Sequence, residues 1–410
     1  MANKHANLDS LFNDIADAIR EKIGDESIIP AVDFPDLIRD RLQVAPPKPY
    51  LTFKSPSSFT LSVNDTTKHW DGTLEYSTDA STWTTWDGTT TLSSSTSGSN
   101  NVLYLRGTGN TVITGSSSNY KWVLTGSDIK CIGNIENLLD YATVKSGAHP
   151  TMATNCYRAM FYGCTSLIQA PALPATTLTD NCYYRMFSDC TSLTQAPALP
   201  ATTLAIDCYH SMFRGCTGLT QAPALPATTL TSNCYYYMFC DCTSLIQAPA
   251  LPATTLAEGC YDGMFYGCTN LTQAPDLPAT TLANYCYGGM FNRCTSLTKA
   301  PSMLPATTLA ENCYRFMFEF TAITSIPRIM ATTYATDSCK GMFDDIKTLN
   351  VYSSSGEGHT YGWIAPASTY CSVMFGSDDG ESEWAKLDGS NFPNNGTPTE
   401  GVTYYFATVD

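Results

Sequence analysis

Asn181-Cys-Tyr-Tyr-Arg-Met-Phe-Ser-Asp-Cys-Thr-Ser-Leu-Thr-Gln-Ala-Pro-Ala-Leu-Pro-Ala-Thr-Thr-Leu204 is the stretch on which the fold turns. Its Met-Phe pair occurs nine times, at Met160, Met186, Met212, Met238, Met264, Met290, Met317, Met342 and Met374. The first six copies are spaced 26 residues apart. A period of that length marks a solenoid, whose units bury their apolar sides against one another. Within a unit the sequence predicts a helix over 178–190, with Thr176 or Thr177 as its cap. A Thr-Ser turn and a short strand near Leu193–Pro197 follow, and Pro197 and Pro200 stop its pairing. The expected fold is an α/β solenoid of short parallel strands plus helices.

On a wheel of about 100° per residue, Leu178, Cys182, Tyr183, Met186, Phe187 and Cys190 share one side. These residues repeat from unit to unit, so that side is the expected core. The opposite side changes. Before each Met-Phe stand Arg158-Ala159, Tyr184-Arg185, His210-Ser211, Tyr236-Tyr237, Asp262-Gly263, Gly288-Gly289 and Arg315-Phe316. After it stand Tyr162-Gly163, Ser188-Asp189, Arg214-Gly215, Cys240-Asp241, Tyr266-Gly267, Asn292-Arg293 and Glu319-Phe320. A plain solvent face of a helix would carry Glu, Lys and Gln. Tyr, Arg, Asp, Ser and Asn are instead the vocabulary of binding loops. The ligand-binding residues expected are Arg158, Tyr162, Tyr184, Arg185, Ser188, His210, Arg214, Tyr236, Tyr237, Asp241, Asp262, Tyr266, Asn292, Arg293 and Arg315. By contrast Gln169, Gln195, Gln221, Gln247 and Gln273 form a constant ladder on the strand side. All the varied residues except Glu319 can arise from an Asn codon altered at its adenines. A diversity-generating retroelement leaves that mark; drift and recombination among repeats are the other explanation.

Six segments are expected along the chain. Residues 1–44 form a helical docking or oligomerisation segment. The stripe Leu8, Leu11, Phe12, Ile15, Ile19 and Ile23 makes one helix, and Asp33 with Pro35 starts a second. Residues 45–49 are a Pro-rich linker. Residues 50–125 form a small all-β sandwich, with strands at 50–54, 59–63, 73–77, 82–86, 101–106, 111–114 and 121–124. Its Trp70, Trp83, Trp86 and Trp122 are core, or else a sugar platform. Residues 126–150 are a junction and cap, 151–350 the repeats, and 351–410 a degenerate repeat with a C-terminal cap.

The chain of 410 residues carries 22 Lys and Arg against 37 Asp and Glu, a formal charge of −15. That balance argues against nucleic acid, which needs clustered basic residues. No run of 18 apolar residues exists, so no membrane insertion is expected, and the first residues do not read as an export signal. Of 17 cysteines, Cys156, Cys182, Cys208, Cys234, Cys260, Cys286, Cys313 and Cys339 form one file. Cys164, Cys190, Cys216, Cys242, Cys268 and Cys294 form another. A regular file has no preferred pairing, so these read as small buried thiols. Zinc spacing is absent, and the five histidines are scattered. No metal, cofactor or catalytic residue is expected. Asp378, Asp379, Glu381 and Glu383 lack the order of a calcium loop and read as a solvated acidic loop.

The order Met-Phe-x-x-Cys-Thr-Ser-Leu, as at Met186–Leu193, resembles the BspA-like leucine-rich repeats of bacterial surface proteins, with Met-Phe where that family has Ala-Phe. The resemblance covers about half the chain. It implies a leucine-rich-repeat-like solenoid, adhesion and no enzymatic activity. Leu11–Gly24, followed by Ile29-Pro30 and Phe34-Pro35, is similar to the opening of tail-associated proteins from phages and prophages of gut bacteria. Together these imply a virion tail-fibre or tail-tip protein assembled in the host cytoplasm. It would dock on other tail proteins through 7–43, form a homo-oligomer, and bind a bacterial surface protein or glycan. The alternatives are a BspA-like adhesin at the bacterial surface and an enzyme degrading cell-surface glycan.

Overall fold

The computed structural model describes residues 48–65, 68–116, 120–376 and 385–407. The expected helical hairpin over 7–43 and the acidic loop at Asp378–Glu383 lie outside the described residues. A boundary between compact units falls at Lys48–Pro49, and Pro49–Asp410 forms one unit. Its described part consists of strands, single β-bridges and turns. Helix is confined to α1 (Asn137–Lys145), α2 (Ser368–Cys371) and a 3-10 turn at Asn394–Gly396. Among the described residues no sheet closes into a barrel, and no helix is long and apolar enough to cross a membrane.

The first strands are β1 (Leu51–Ser55), β2 (Thr60–Val63), β3 (Thr73–Ser77), β4 (Thr84–Trp86), β5 (Leu92–Ser93), β6 (Ser95–Ser97), β7 (Asn100–Thr108), β8 (Trp122–Thr125), β9 (Ile129–Ile132) and β10 (Leu167–Gln169). They form one sheet in the order β10-β9-β1-β7-β3-β4, with β6 also on β7, and a second in the order β5-β2-β8. Alternation sets which side faces in: along β1, Leu51, Phe53 and Ser55 are buried. The sheets meet through Trp122 of β8, whose ring lies 5.6 Å from Trp86 and 6.4 Å from Phe53. Trp70, Trp86 and Trp122 are therefore core, while half-buried Trp83 lies under the Arg106 guanidinium at 4.1 Å. The strand expected at 111–114 does not form. The Thr111 and Val112 amides donate to the Asp71 carboxylate instead of to a neighbouring strand. β5, β6 and β9 are additional to the expected set.

The repeats need a larger correction, for residues 151–350 contain no helix. Over 181–190 the backbone is a ribbon of overlapping turns. Alternate amides close a turn three residues back: Tyr184 donates to Asn181, Met186 to Tyr183, Ser188 to Arg185 and Cys190 to Phe187. The amides between them cross to the next unit: Asn181 to Ile206, Tyr183 to Cys208, Arg185 to His210 and Phe187 to Met212. Every fourth residue takes positive φ, as at Asn181 (56°), Arg185 (53°) and Asp189 (59°). An α-helix has no such residues and sends its amides to its own chain. The strand side is sparser than expected too. Beyond β10 it pairs mostly through single bridges such as Thr177–Thr203 and Gln221–Gln247, because prolines remove donors there.

The constant side is dry. Cys182, Tyr183, Met186, Phe187 and Cys190 are all buried. Successive rings stack face to face, 5.7 Å apart for Tyr157–Tyr183 and 5.6 Å for Phe161–Phe187. Burying each such side chain contributes about 1.5–3 kcal/mol. The Phe file ends against Phe53 and Trp122 at one end and against Phe392 and Phe406 at the other. One core thus runs through the sheets and the repeats. All 17 cysteines are buried and unbridged. In the second file Cys164 Sγ donates to the Trp122 carbonyl, and each later thiol to the preceding unit's Phe carbonyl, as Cys216 Sγ does to Phe187 O at 3.0 Å. Burial pushes these thiols up, Cys164 to about 11, so none is a ready thiolate.

The last units break register as the sequence does. Inserted Met303 sits exposed in β11 (Met303–Leu304), which pairs in parallel with β12 (Arg328–Ile329). Tyr314 donates to Ser338, where its equivalents donate to a cysteine. Cys339 therefore occupies the tyrosine register and does not belong to the cysteine file. β13 (Asn350–Val351), β14 (Tyr361–Ile364), β15 (Lys386–Leu387), β16 (Ser390–Asn391) and β17 (Thr403–Phe406) finish the unit.

Candidate functional site

The turn ribbon decides what the varied residues can do. The second member of each varied pair is a positive-φ residue: Ala159, Arg185, Ser211, Tyr237, Gly263, Gly289 and Phe316 just before the Met, and Gly163, Asp189, Gly215, Asp241, Gly267, Arg293 and Phe320 after Phe. Glycine and aspartate suit that conformation, so part of the composition is a backbone requirement. Arg185, Tyr237, Arg293, Phe316 and Phe320 do not suit it. For such residues the left-handed region costs roughly 1–2 kcal/mol each. Large side chains stand where glycine would be easier.

Their neighbours are shaped around them. A Cβ added to Gly263 would come within 2.6 Å of the Tyr237 ring, so that ring lies directly on the next unit's backbone. Phe316 lies against Gly341 in the same way.

Tyr184, Arg185, His210, Arg214, Tyr236, Tyr237, Asp241 and Tyr266, with Ser211 and Cys240, line a shallow depression of about 480 Å³. A row of rings runs through it. Tyr184 and His210 are 4.4 Å apart, His210 and Tyr236 4.7 Å, Tyr236 and Tyr237 4.6 Å, Tyr237 and Tyr266 6.0 Å. His210 Nδ1 lies 3.1 Å from the Asp207 carboxylate, which orients the imidazole. Arg158 stacks 4.1 Å over Tyr184, and its Nη1 donates to the Asn155 and Asn181 side-chain oxygens at 3.3 Å. Arg185 lies 5.4 Å over Tyr162, a ring that Lys121 also approaches at 4.9 Å. Arg293 Nε donates to the Tyr266 hydroxyl at 2.8 Å.

The other expected residues are placed differently. Ser188 and Asn292 are buried, so they support the face from below. Asn292 donates to Glu319. Arg315 covers the ring of Phe316 at 4.8 Å. Burial pushes the Asp262 carboxyl up to about 7, and the Arg315 charge opposes that shift. Tyr236 and Tyr237 are also pushed up by burial, so both hydroxyls stay protonated donors.

No protein-family model, curated protein or solved structure matches this chain. The site must therefore be read from its own chemistry. In the depression the Cys240 thiol donates to the Asp241 carboxylate at 3.4 Å, and burial pushes that thiol up to about 12. The histidine there is oriented by Asp207 within a row of rings.

Two further features lie away from it. A larger, more apolar groove of about 750 Å³ is lined by Met330, Tyr334, Tyr361, Trp363, Ile364 and Tyr370, among others. The Tyr361 hydroxyl there accepts from the Ile329 amide and donates to its carbonyl, closing the free edge of β12. That groove belongs to the capping end and contains none of the varied pairs. Carboxylate oxygens of Glu319, Asp344 and Asp345 lie within 4.8 Å of one another, the separation a divalent cation accepts.

Sequence reading missed Ser211, Cys240, Asp207 and Lys121 as parts of this region. Cys240 carried a signal, as a thiol two residues before Cys242 and outside the register of both files. Lys121 carried none, because only folding brings the sheet module beside Tyr162.

Proposed function

We propose that the chain is a non-enzymatic receptor-binding protein, and that its varied face is the contact surface. One observation carries this reading. Arginine, tyrosine and phenylalanine occupy left-handed backbone positions that glycine fills in sister units. Strain retained on one face of a molecule points to use of that face. The half-buried aromatic groups and the guanidinium groups beside them are those that dominate binding energy at interfaces.

The repeats themselves are read as a solenoid in which a ribbon of turns replaces the helix of BspA-like units. The unit-to-unit amide ladder supports that view. The opening segment and the repeats together favour a phage tail fibre or tail tip that meets a receptor on a gut bacterium. An Asn ancestor at the varied codons fits the backbone, because asparagine accepts positive φ more readily than other non-glycine residues. A template copy beside the gene would tie the variation to a retroelement.

The test is attachment. Tyr184→Ala, Tyr236→Ala and Tyr237→Ala are expected to abolish binding to susceptible cells while the Gln195 and Gln221 variants retain it. Attachment that survives the tyrosine changes and is lost with the glutamines would reverse the choice of face. Antibody labelling of virions should place the chain at the tail.

A further inference from the structure

The depression on the varied face has two chemical parts, and together they select a ligand class. The first is the row of half-buried rings from Tyr184 to Tyr266, tilted against one another by 40–58° where they are closest. The second is positive charge. Arg185 and Arg214, from successive units, stand in the lining, in a chain with only 22 Lys and Arg. Among the described residues neither makes an ion pair. Guanidinium groups without a carboxylate partner recognise planar or tetrahedral anions. Asp241 is the one carboxylate in the lining, and it already accepts from the Cys240 thiol at 3.4 Å.

The backbone narrows the choice. An extended peptide adds to a sheet through free amides. Here the amides of Tyr184, Arg185, His210, Ser211, Arg214, Tyr236 and Tyr237 are all spent on turns or on the next unit. Recognition has to come from side chains. Ring faces suit the C–H faces of a pyranose, tyrosine hydroxyls suit its hydroxyls, and arginines suit an acidic substituent.

Resting on the binding role argued above, we propose that this depression takes an acidic saccharide, one bearing carboxylate, sulfate or phosphate. Sugar rings would lie along the row of rings around Tyr236, with the anion on Arg185 and Arg214.

The full chain should be passed over surfaces carrying oligogalacturonate, dextran sulfate, wall teichoic acid and neutral dextran. Binding is expected to at least one acidic polymer and not to dextran. Which polymer binds identifies the anion. The Arg185→Ala/Arg214→Ala pair should weaken binding by about tenfold or more, with melting unchanged. Arg214→Lys should recover part of the loss. Equal binding to dextran, no binding to any acidic polymer, or binding indifferent to the arginine pair would overturn the inference. If saccharides fail while cell attachment still needs Tyr236, the ligand class is wrong and the binding face stands. If attachment ignores the tyrosines, the face itself is wrong.

Discussion

On the constant side of the turn ribbon, Tyr183 and Phe187 lie parallel to their counterparts in the next unit, fully buried. On the varied side, one residue further along the same backbone, Tyr184 and Arg185 stand half in water beside rings tilted at 40°. The two sides share every hydrogen bond of the ribbon. They differ in what holds their side chains. Identical flat rings can stack indefinitely, so the constant side propagates one solution. The varied side must be met afresh in each unit, and there the residues disagree with their own backbone. Stability is concentrated on one side, which leaves the other free to hold residues that stability alone would not choose.

The largest expected effect lies on the constant side. Phe239 stacks between Phe213 and Phe265 at 5.7 and 5.8 Å. Phe239→Ala should destabilise the protein by about 3–5 kcal/mol in denaturant titration. A loss below ~1 kcal/mol would mean that the ring file is not what joins the units.

Gly263 lies where the two sides meet, beneath the Tyr237 ring and at a φ of 58°. Gly263→Ala should cost roughly 1–2 kcal/mol from the backbone alone, with the collision against Tyr237 added. Combining it with Tyr237→Ala should restore part of that loss in a double-mutant cycle. Strict additivity would show that the ring does not rest on this glycine.

The division into two sides was legible in the sequence although the secondary structure was not. Buried Cys182, Tyr183, Met186, Phe187 and Cys190 recur at intervals of four. A helix repeats at about 3.6, and over two turns the patterns part by less than one residue. The wheel therefore sorted the side chains correctly on the wrong backbone. The discriminating signal was the asparagine, aspartate or glycine recurring eight residues apart, as in Asn155-Gly163, Asn181-Asp189 and Asn233-Asp241, which is turn chemistry. The same backbone explains part of the varied composition that had been assigned wholly to binding. The depression was legible in its membership, since eight of its ten lining residues were expected. Its arginine–aromatic stacking was not, because ring contacts between units depend on the rise of the ribbon.

A smaller effect tests the conflict on the varied side directly. Arg185→Gly relieves a left-handed residue, worth about 1–2 kcal/mol, against the entropy of an added glycine, about 0.5–1 kcal/mol. A gain in stability of up to ~1 kcal/mol is expected, together with weaker ligand binding. A clear loss of stability would show that Arg185 is kept for packing.

The smallest effect is a slope with pH, from Asp262. Burial lifts its carboxyl from 3.8 to about 7 in the folded protein. Below the lower value both states hold the proton and stability does not change with pH. Between the two values the folded state keeps a proton that the unfolded chain has released, so stability falls as pH rises. Above about 7 both are ionised and the contribution is gone. The buried thiols of the constant side add no slope here, since burial raises them further above their usual range. Stability measured across this window should fall less steeply in Asp262→Asn than in the unaltered protein. Parallel profiles would mean that Asp262 stands in water, and that the varied face is shallower around Tyr236 and Tyr237 than its geometry implies.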